Sequence, residues 1–190
     1  MDLPDIEPTL GFVLEADRGS LPFALIHGES LVACAAWALG DAGVTLVDLG
    51  TPWAALAEAG EPVVLHDVLC PMTPAPFIVD AVLRSAETGA VVVGVRPVTD
   101  TVKTIAAGAV GETIDREGLW QVASPLVLPP VAVEALIGGL PTYDVARLVA
   151  HLRQAGFGIE TLIAPPEARR VGGPDDIRLL EALTAPATTR

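Results

Sequence analysis

Ala90-Val91-Val92-Val93-Gly94-Val95 is the strongest strand signal in the chain. The run is β-branched and apolar throughout, with no polar alternation. A strand of this kind is covered on both faces, as in a parallel sheet between layers of helices. Upstream, Thr73-Pro74 opens a helix to Ala86 with Ile78, Ala81 and Val82 on one face. Before it, Val63–Leu65 reads as a strand ending at His66-Asp67. Earlier still come a strand at Gly11–Leu14 and a helix at Leu31–Leu39, with Ser30 as N-cap and Gly40 as its stop. A strand at Val44–Val47 and a helix at Pro52–Ala59 capped by Thr51 follow. Downstream, Thr101–Ile105 and Val110–Ile114 flank Ala106-Ala107-Gly108-Ala109 and predict a β-hairpin. Helices are expected at Val131–Ile137 and Thr142–Ala155. The second carries Val145, Leu148, Val149 and Leu152 on one stripe and ends at Gly156. A last strand, Ile159–Ile163, and a last helix, Pro174–Leu183, complete the pattern. Alternating strands and helices predict one domain over residues 1–190, an open, mostly parallel α/β sheet with an arm inserted at about residues 99–124. In such sheets ligands sit at the carboxyl ends of the strands.

The composition narrows the function classes. The chain has 190 residues and a formal net charge of −13; Lys103 is its only lysine. At 51% hydrophobic it is too apolar for a disordered chain. Its acidity argues against a nucleic-acid binder, which clusters Lys and Arg against phosphates, and against a basic helix on a membrane surface. Met1–Leu10 is acidic and lacks a basic start to an apolar run, so it does not read as a signal peptide. No apolar run is long enough to span a bilayer. Two cysteines, Cys34 and Cys70, do not make a disulfide scaffold. A soluble cytoplasmic protein is expected.

Generic motifs are sparse: there is no Walker A loop, dinucleotide glycine fingerprint or zinc-spaced Cys/His set. His66-Asp67 stands at a strand end, where a carboxylate can hold Mg²⁺, although an Asp bonding its own turn is the simpler reading. Thr101 and Lys103 alternate on the hairpin and so share a face, with Arg116 just beyond it. These three suit a phosphate and suit a solvated arm equally. Arg169-Arg170 precedes Gly172-Gly173-Pro174 at a helix start, where anions are favoured, but a plain surface loop fits slightly better. Trp37 and Trp53 read as packing residues, Trp120 as core or interface, and His151 as a packed or surface histidine.

Taken together, these strings resemble a family. Asp100-Thr101-Val102-Lys103 and Thr113-Ile114-Asp115-Arg116-Glu117-Gly118-Leu119-Trp120 are similar to the Asp-Thr-(apolar)-Lys and Thr-(apolar)-Asp-Arg-x-x-Leu-Trp motifs of the 2-C-methyl-D-erythritol 4-phosphate cytidylyltransferases. His66-Asp67 with Pro71, Ser124-Pro125, Thr142–Ala146 and Arg170–Ile177 resemble further segments of that family. The resemblance runs from about Gly11 to Leu183 and is strong from Val63 onward.

It implies a Rossmann-like nucleotidyltransferase fold whose hairpin is a dimerisation arm in a homodimer. The implied reaction joins CTP to methylerythritol phosphate, with Mg²⁺, in non-mevalonate isoprenoid synthesis. On the matching positions, Arg18 and Arg170 would be the catalytic cations, and Thr101, Lys103, Arg116 and Ser124 would bind substrate. Asp67 and Glu167 would hold the metal.

The departures lie at the nucleotide end. Where the family has a glycine loop with Arg and then Pro-Lys, this chain has Glu15-Ala16-Asp17-Arg18-Gly19-Ser20-Leu21-Pro22-Phe23, with Phe23 at the lysine position. The family's Gly-Gly-x-x-Arg-x-x-Ser-Val segment has no convincing counterpart between Leu39 and Val63, and Cys70 stands where the family has Arg. The expected function is therefore a degenerate homologue with lost or weak transfer, one that binds a small phosphorylated metabolite or acts as a partner or regulatory subunit. A working enzyme with a rebuilt loop and a non-enzymatic dimeric interaction protein are the alternatives.

Overall fold

The computed structural model describes residues 3–48, 50–106 and 108–185. The chain runs through β1 (Leu10–Leu14), a 3₁₀ turn (Leu21–Phe23), β2 (Leu25–Ile26), β3 (Glu29–Ser30), α1 (Leu31–Asp41), β4 (Thr45–Leu46), α2 (Trp53–Ala59), β5 (Val63–Asp67) and α3 (Ala75–Thr88). It continues through β6 (Val91–Pro97), β7 (Val102–Ala106), β8 (Ala109–Ile114), β9 (Trp120–Leu128), α4 (Pro130–Ala135), α5 (Val145–Gln154), β10 (Ile159–Ile163), a second 3₁₀ turn (Pro166–Ala168) and α6 (Pro174–Thr184). Six strands form one sheet in the order β10-β6-β9-β5-β1-β4. All neighbouring pairs are parallel except those of β9, which is antiparallel to both β5 and β6.

The sheet divides two apolar layers by simple alternation. Val63 and Leu65 of β5, Val91 and Val93 of β6, and Leu126 and Leu128 of β9 enter one core with Leu56, Val133, Leu148 and Leu152 from α2, α4 and α5. Val64, Val92 and Val127 point the other way, onto Leu39, Ile78 and Val82 of α1 and α3. This is the three-layer α/β architecture the sequence predicts. Local signals account for most of the helix ends. Ser30 Oγ accepts from Ala33 N–H and Asp144 Oδ1 from Arg147 N–H, which satisfies a free donor at each helix start. Gly60 and Gly89 end α2 and α3 in left-handed conformation.

Several expectations need correction. Gly40 lies inside α1, which continues to Asp41, and the left-handed turn is taken by Gly43 (φ +78°). Thr51 is not the cap of α2; Pro52 holds that position. Trp37 is exposed rather than packed, and Trp120 is exposed, which removes the core reading and leaves the interface one. Trp53 is packed: it stacks on Phe12 at 5.9 Å and donates to the Val133 carbonyl at 2.8 Å. The largest omission is β9, the central strand, which separates β5 from β6. The expected hairpin forms as β7 paired antiparallel to β8, in a two-stranded sheet of its own. Ala107 in its turn, and Met1 and Asp2 of the acidic start, lie outside the described residues. Among the described residues no helix is long and apolar enough to cross a membrane.

Candidate functional site

Strands β1, β5, β6 and β10 end at one edge of the sheet, and because β9 runs the other way its first half lies at that edge too. Asp67, the last residue of β5, is the centre of what they bring together. Its side chain is 5% exposed. Oδ1 accepts from Leu69 N–H at 3.0 Å, closing a turn after the strand, and from Arg18 Nε at 3.3 Å. Oδ2 accepts from Arg18 Nη2 at 3.2 Å and from Arg170 Nε at 3.2 Å. Arg18 is brought back to the edge by Asp17, which is left-handed at φ +62° and sits in the loop after β1. Arg18 Nη2 also donates to the Tyr143 carbonyl at 3.1 Å, tying the loop to the start of α5. Arg170 is placed by its neighbour Val171, whose N–H donates to Leu69 O at 2.6 Å.

Behind Asp67 lies a network that no short motif announced. The Asp67 N–H donates to Ser124 Oγ at 3.0 Å, and the same oxygen lies 2.5 Å from His66 Nδ1. Ser124 Oγ and His66 Nδ1 share one hydrogen bond, whose donor is set by the tautomer of the imidazole. Nε2 is buried and has no partner among the described residues. Complete burial pushes the His66 pKa down to about 4, against a smaller opposing pull from Asp67. Burial also raises the Cys70 thiol, so Cys70 is an inert part of the wall rather than a nucleophile.

β9 can approach because of Gly94. A Cβ there would lie 2.8 Å from the Ser124 carbonyl oxygen. Gly94 sits where the β6–β9 register breaks between Val93 and Val95, opposite Ser124 and Pro125.

A cavity of about 260 Å³ opens in front of this wall, lined by Arg18, Asp67, Gln121, Asp144 and Arg170 among others. Gln121 also lines a second cavity, of about 480 Å³, whose other lining residues include Arg96, Asp100 and Arg169. Four of the ten arginines thus converge on one edge of a chain whose net charge is −13.

The remaining predicted residues fall elsewhere. Ser124 is fully buried, with its hydroxyl committed to His66 and Asp67, so in this arrangement it supports the wall instead of facing a ligand. Glu167 is on the second 3₁₀ turn and lines neither cavity. Thr101 and Arg116 share a hollow of about 270 Å³ at the base of the hairpin. There the Arg116 guanidinium donates to the Thr99 carbonyl. Lys103 Nζ donates to Thr113 Oγ1 at 3.0 Å on the exposed hairpin surface. None of the three lines the Asp67 cavity of its own chain. The start of α6, where Arg169-Arg170 suggested an anion, is closed by its own Asp176, which accepts from Gly172 N–H at 2.8 Å.

The metal expected at Asp67 does not fit these residues as they stand. All four acceptor positions of the carboxylate are taken, two of them by one guanidinium and one by a second. Among the described residues no group of three His, Cys, Asp or Glu side chains could hold a metal ion.

Comparison with known proteins follows the same outline. The family model for 2-C-methyl-D-erythritol 4-phosphate cytidylyltransferase (IspD) matches residues 45–184. The enzyme of that name from Deinococcus radiodurans is 34% identical over 134 residues, covering 67% of this chain and 55% of the relative. That from Bacillus licheniformis is 31% identical over 138 residues, covering 69% and 58%. The chain thus spans little more than half the length of these curated relatives. In fold it is similar to the cytidylyltransferase of Thermus thermophilus, with a TM-score of 0.70 at 23% identity over 91% of this chain and 96% of that one. A 4-diphosphocytidyl-2C-methyl-D-erythritol synthase superposes with a TM-score of 0.73 at 15% identity over 95% and 99%.

Proposed function

Because the chain belongs to the 2-C-methyl-D-erythritol 4-phosphate cytidylyltransferase family, we propose that it keeps the phosphate-facing half of that site and has lost most or all of the cytidylyl transfer. One observation carries this reading. Arg18, the single cation that the loop after β1 supplies, has its Nε and Nη2 committed to Asp67 and the Tyr143 carbonyl. The family chemistry, attack of a sugar phosphate on the α-phosphorus of CTP, needs donors arranged around a triphosphate where charge develops. Here Phe23 is 67% exposed at the position where the family has lysine, and Glu15 and Asp17 place negative charge in the same loop. Each missing donor of this kind costs roughly 10²–10³ in rate, and losses within one unit do not simply add.

What remains suits a small phosphorylated metabolite such as methylerythritol phosphate. Arg170 lines the cavity with its terminal nitrogens in no hydrogen bond among the described residues, and Gln121 adds an amide. The exposed hairpin, with Ile105 and Val110 in the open, is suited to pairing with a second copy. That would carry Thr101, Lys103 and Arg116 to a neighbouring site. The alternative of an active enzyme rests on Arg18 reaching the correct wall at all.

The test is pyrophosphate release from CTP and methylerythritol phosphate with Mg²⁺ supplied. A rate about 10³-fold or more below that of the Deinococcus radiodurans relative is expected. Comparable turnover that depends on Arg18 would overturn the reading in favour of a rebuilt loop. Calorimetric heat from methylerythritol phosphate that disappears in Arg170→Ala would separate a binding protein from a bare dimeric scaffold.

A further inference from the structure

We infer that Asp67 is the anchor of a two-arginine anion cradle that binds phosphate oxygens without a divalent cation. The inference rests on the family reading above only for the expectation that a metal would sit at this carboxylate. The geometry points elsewhere.

A carboxylate has about four lone-pair positions, and those of Asp67 receive Leu69 N–H, Arg18 Nε, Arg18 Nη2 and Arg170 Nε at 3.0–3.3 Å. A Mg²⁺ bound here would have to displace at least one guanidinium donor. It would then sit beside two fixed positive charges, one of them on a side chain only 10% exposed. Magnesium also demands near-octahedral oxygen ligation. The acids that could share the work are engaged or remote. Asp144 lines the cavity, but its Oδ1 caps α5, and Glu167 lines neither cavity.

The same arrangement favours an anion. Asp67 and Asp144 balance Arg18 and Arg170 in this cavity, and the neighbouring cavity adds Arg96 and Arg169 against Asp100, so the two together carry one positive charge. Among the described residues Arg18 Nη1 and both terminal nitrogens of Arg170 make no hydrogen bond. Asp67 orients both arginines by their inner edges, which leaves outer N–H groups for phosphate oxygens in the fixed fork that suits them. His66 and Ser124 set the Asp67 backbone from behind, so the cradle is organised before a ligand arrives.

Two measurements on the full chain test this. In the first, free Mn²⁺ is followed by electron paramagnetic resonance during titration with wild type and Asp67→Asn. The expected result is no site tighter than about 1 mM in either protein. One Mn²⁺ per chain, lost in Asp67→Asn, would overturn the inference. In the second, inorganic pyrophosphate is titrated by calorimetry in EDTA, with wild type and with the half-exposed variant Arg170→Ala. Binding in EDTA that weakens about tenfold or more in Arg170→Ala is expected. Heat that appears only when Mg²⁺ is added, or no heat in either buffer, would overturn it. Neither measurement involves CTP turnover. An active enzyme would therefore defeat the proposed function while leaving the cradle standing, and a metal site would do the reverse.

Discussion

The two sides of the cleft are built on different physical terms. On the β5–β9 side, every residue from Val63 to Asp67 and from Ala123 to Leu128 is buried, and the polar groups among them hydrogen-bond to one another across the strands. On the side of the loop after β1, the flanking strand β4 is two exposed residues long. Phe23, Leu25 and Leu46 all stand in solvent there. That side contributes one side chain to the centre of the site, Arg18, and its geometry is imposed from across the cleft by Asp67. Function-bearing geometry in this chain is therefore a property of the packed wall, and the loop depends on it. Breaking the wall should disturb both sides, whereas changing the loop should disturb only itself.

Asp67→Ala is the strongest break. It leaves Arg18 nearly buried without its countercharge and frees Arg170 and Leu69 N–H. Loss of one partner from a buried ion pair costs about 3–5 kcal/mol. The less buried Arg170, at 34% exposed, adds little to that. Urea unfolding should show a loss in this range. A loss below about 1 kcal/mol would mean that the two arginines find other partners and that the wall does not organise the loop.

How much of this was legible in the sequence follows from the same division. The Ala90–Val95 run, the hairpin and the Ile159–Ile163 strand could be read because each is a local pattern with its own period or turn. β9 could not be read. Its first half, Trp120-Gln121-Val122-Ala123-Ser124, is mixed in polarity, and Pro125 lacks the N–H that a central strand would use. The sheet accepts it because Pro125 falls at the register break opposite Gly94, a match between residues about thirty positions apart. With β9 unread, the His66–Ser124 contact was out of reach, since nothing local joins residues 58 apart. Asp67, Arg18 and Arg170 were visible as charges near strand ends. That the carboxylate would accept from both arginines was a matter of geometry, which charge patterning does not contain.

Acid should expose the wall next. The native His66 pKa is about 4, against an ordinary value of 6.5. Below about pH 6.5 the unfolded chain takes up a proton that the native chain refuses. Stability from this histidine is therefore fully present above that value and falls as the pH drops toward 4. The loss reaches about 2 kcal/mol by pH 5 and about 3 kcal/mol by pH 4. Comparing urea midpoints at pH 7.5 and pH 5 for wild type and His66→Gln isolates the term. The wild type should lose stability over this interval more steeply than the variant. Equal slopes would show that protonated His66 finds accommodation at Nε2, the buried nitrogen with no partner, and that the wall is more open than its burial implies.

The smallest effect should come from the loop, and it sharpens the comparison most. Phe23 is 67% exposed, and its backbone N–H donates to Ser20 O in the 3₁₀ turn, a bond that any side chain permits. Phe23→Lys should change stability by no more than about 0.5 kcal/mol. It would restore a cation where the family has one, so it asks whether charge alone is missing. A flexible ammonium in solvent is worth at most about 1 kcal/mol toward a nearby phosphate. It is also opposed by Glu15 and Asp17 in the same loop. A glycine loop that wraps a triphosphate works by placing backbone N–H groups in advance, and one lysine cannot supply that placement. Cytidylyl transfer by Phe23→Lys, measured as pyrophosphate release, should therefore rise less than about tenfold over wild type. A rise of about a hundredfold or more would mean that the loop is already shaped for the triphosphate and lacked only a charge. The two sides of the cleft would then differ by one residue rather than by construction.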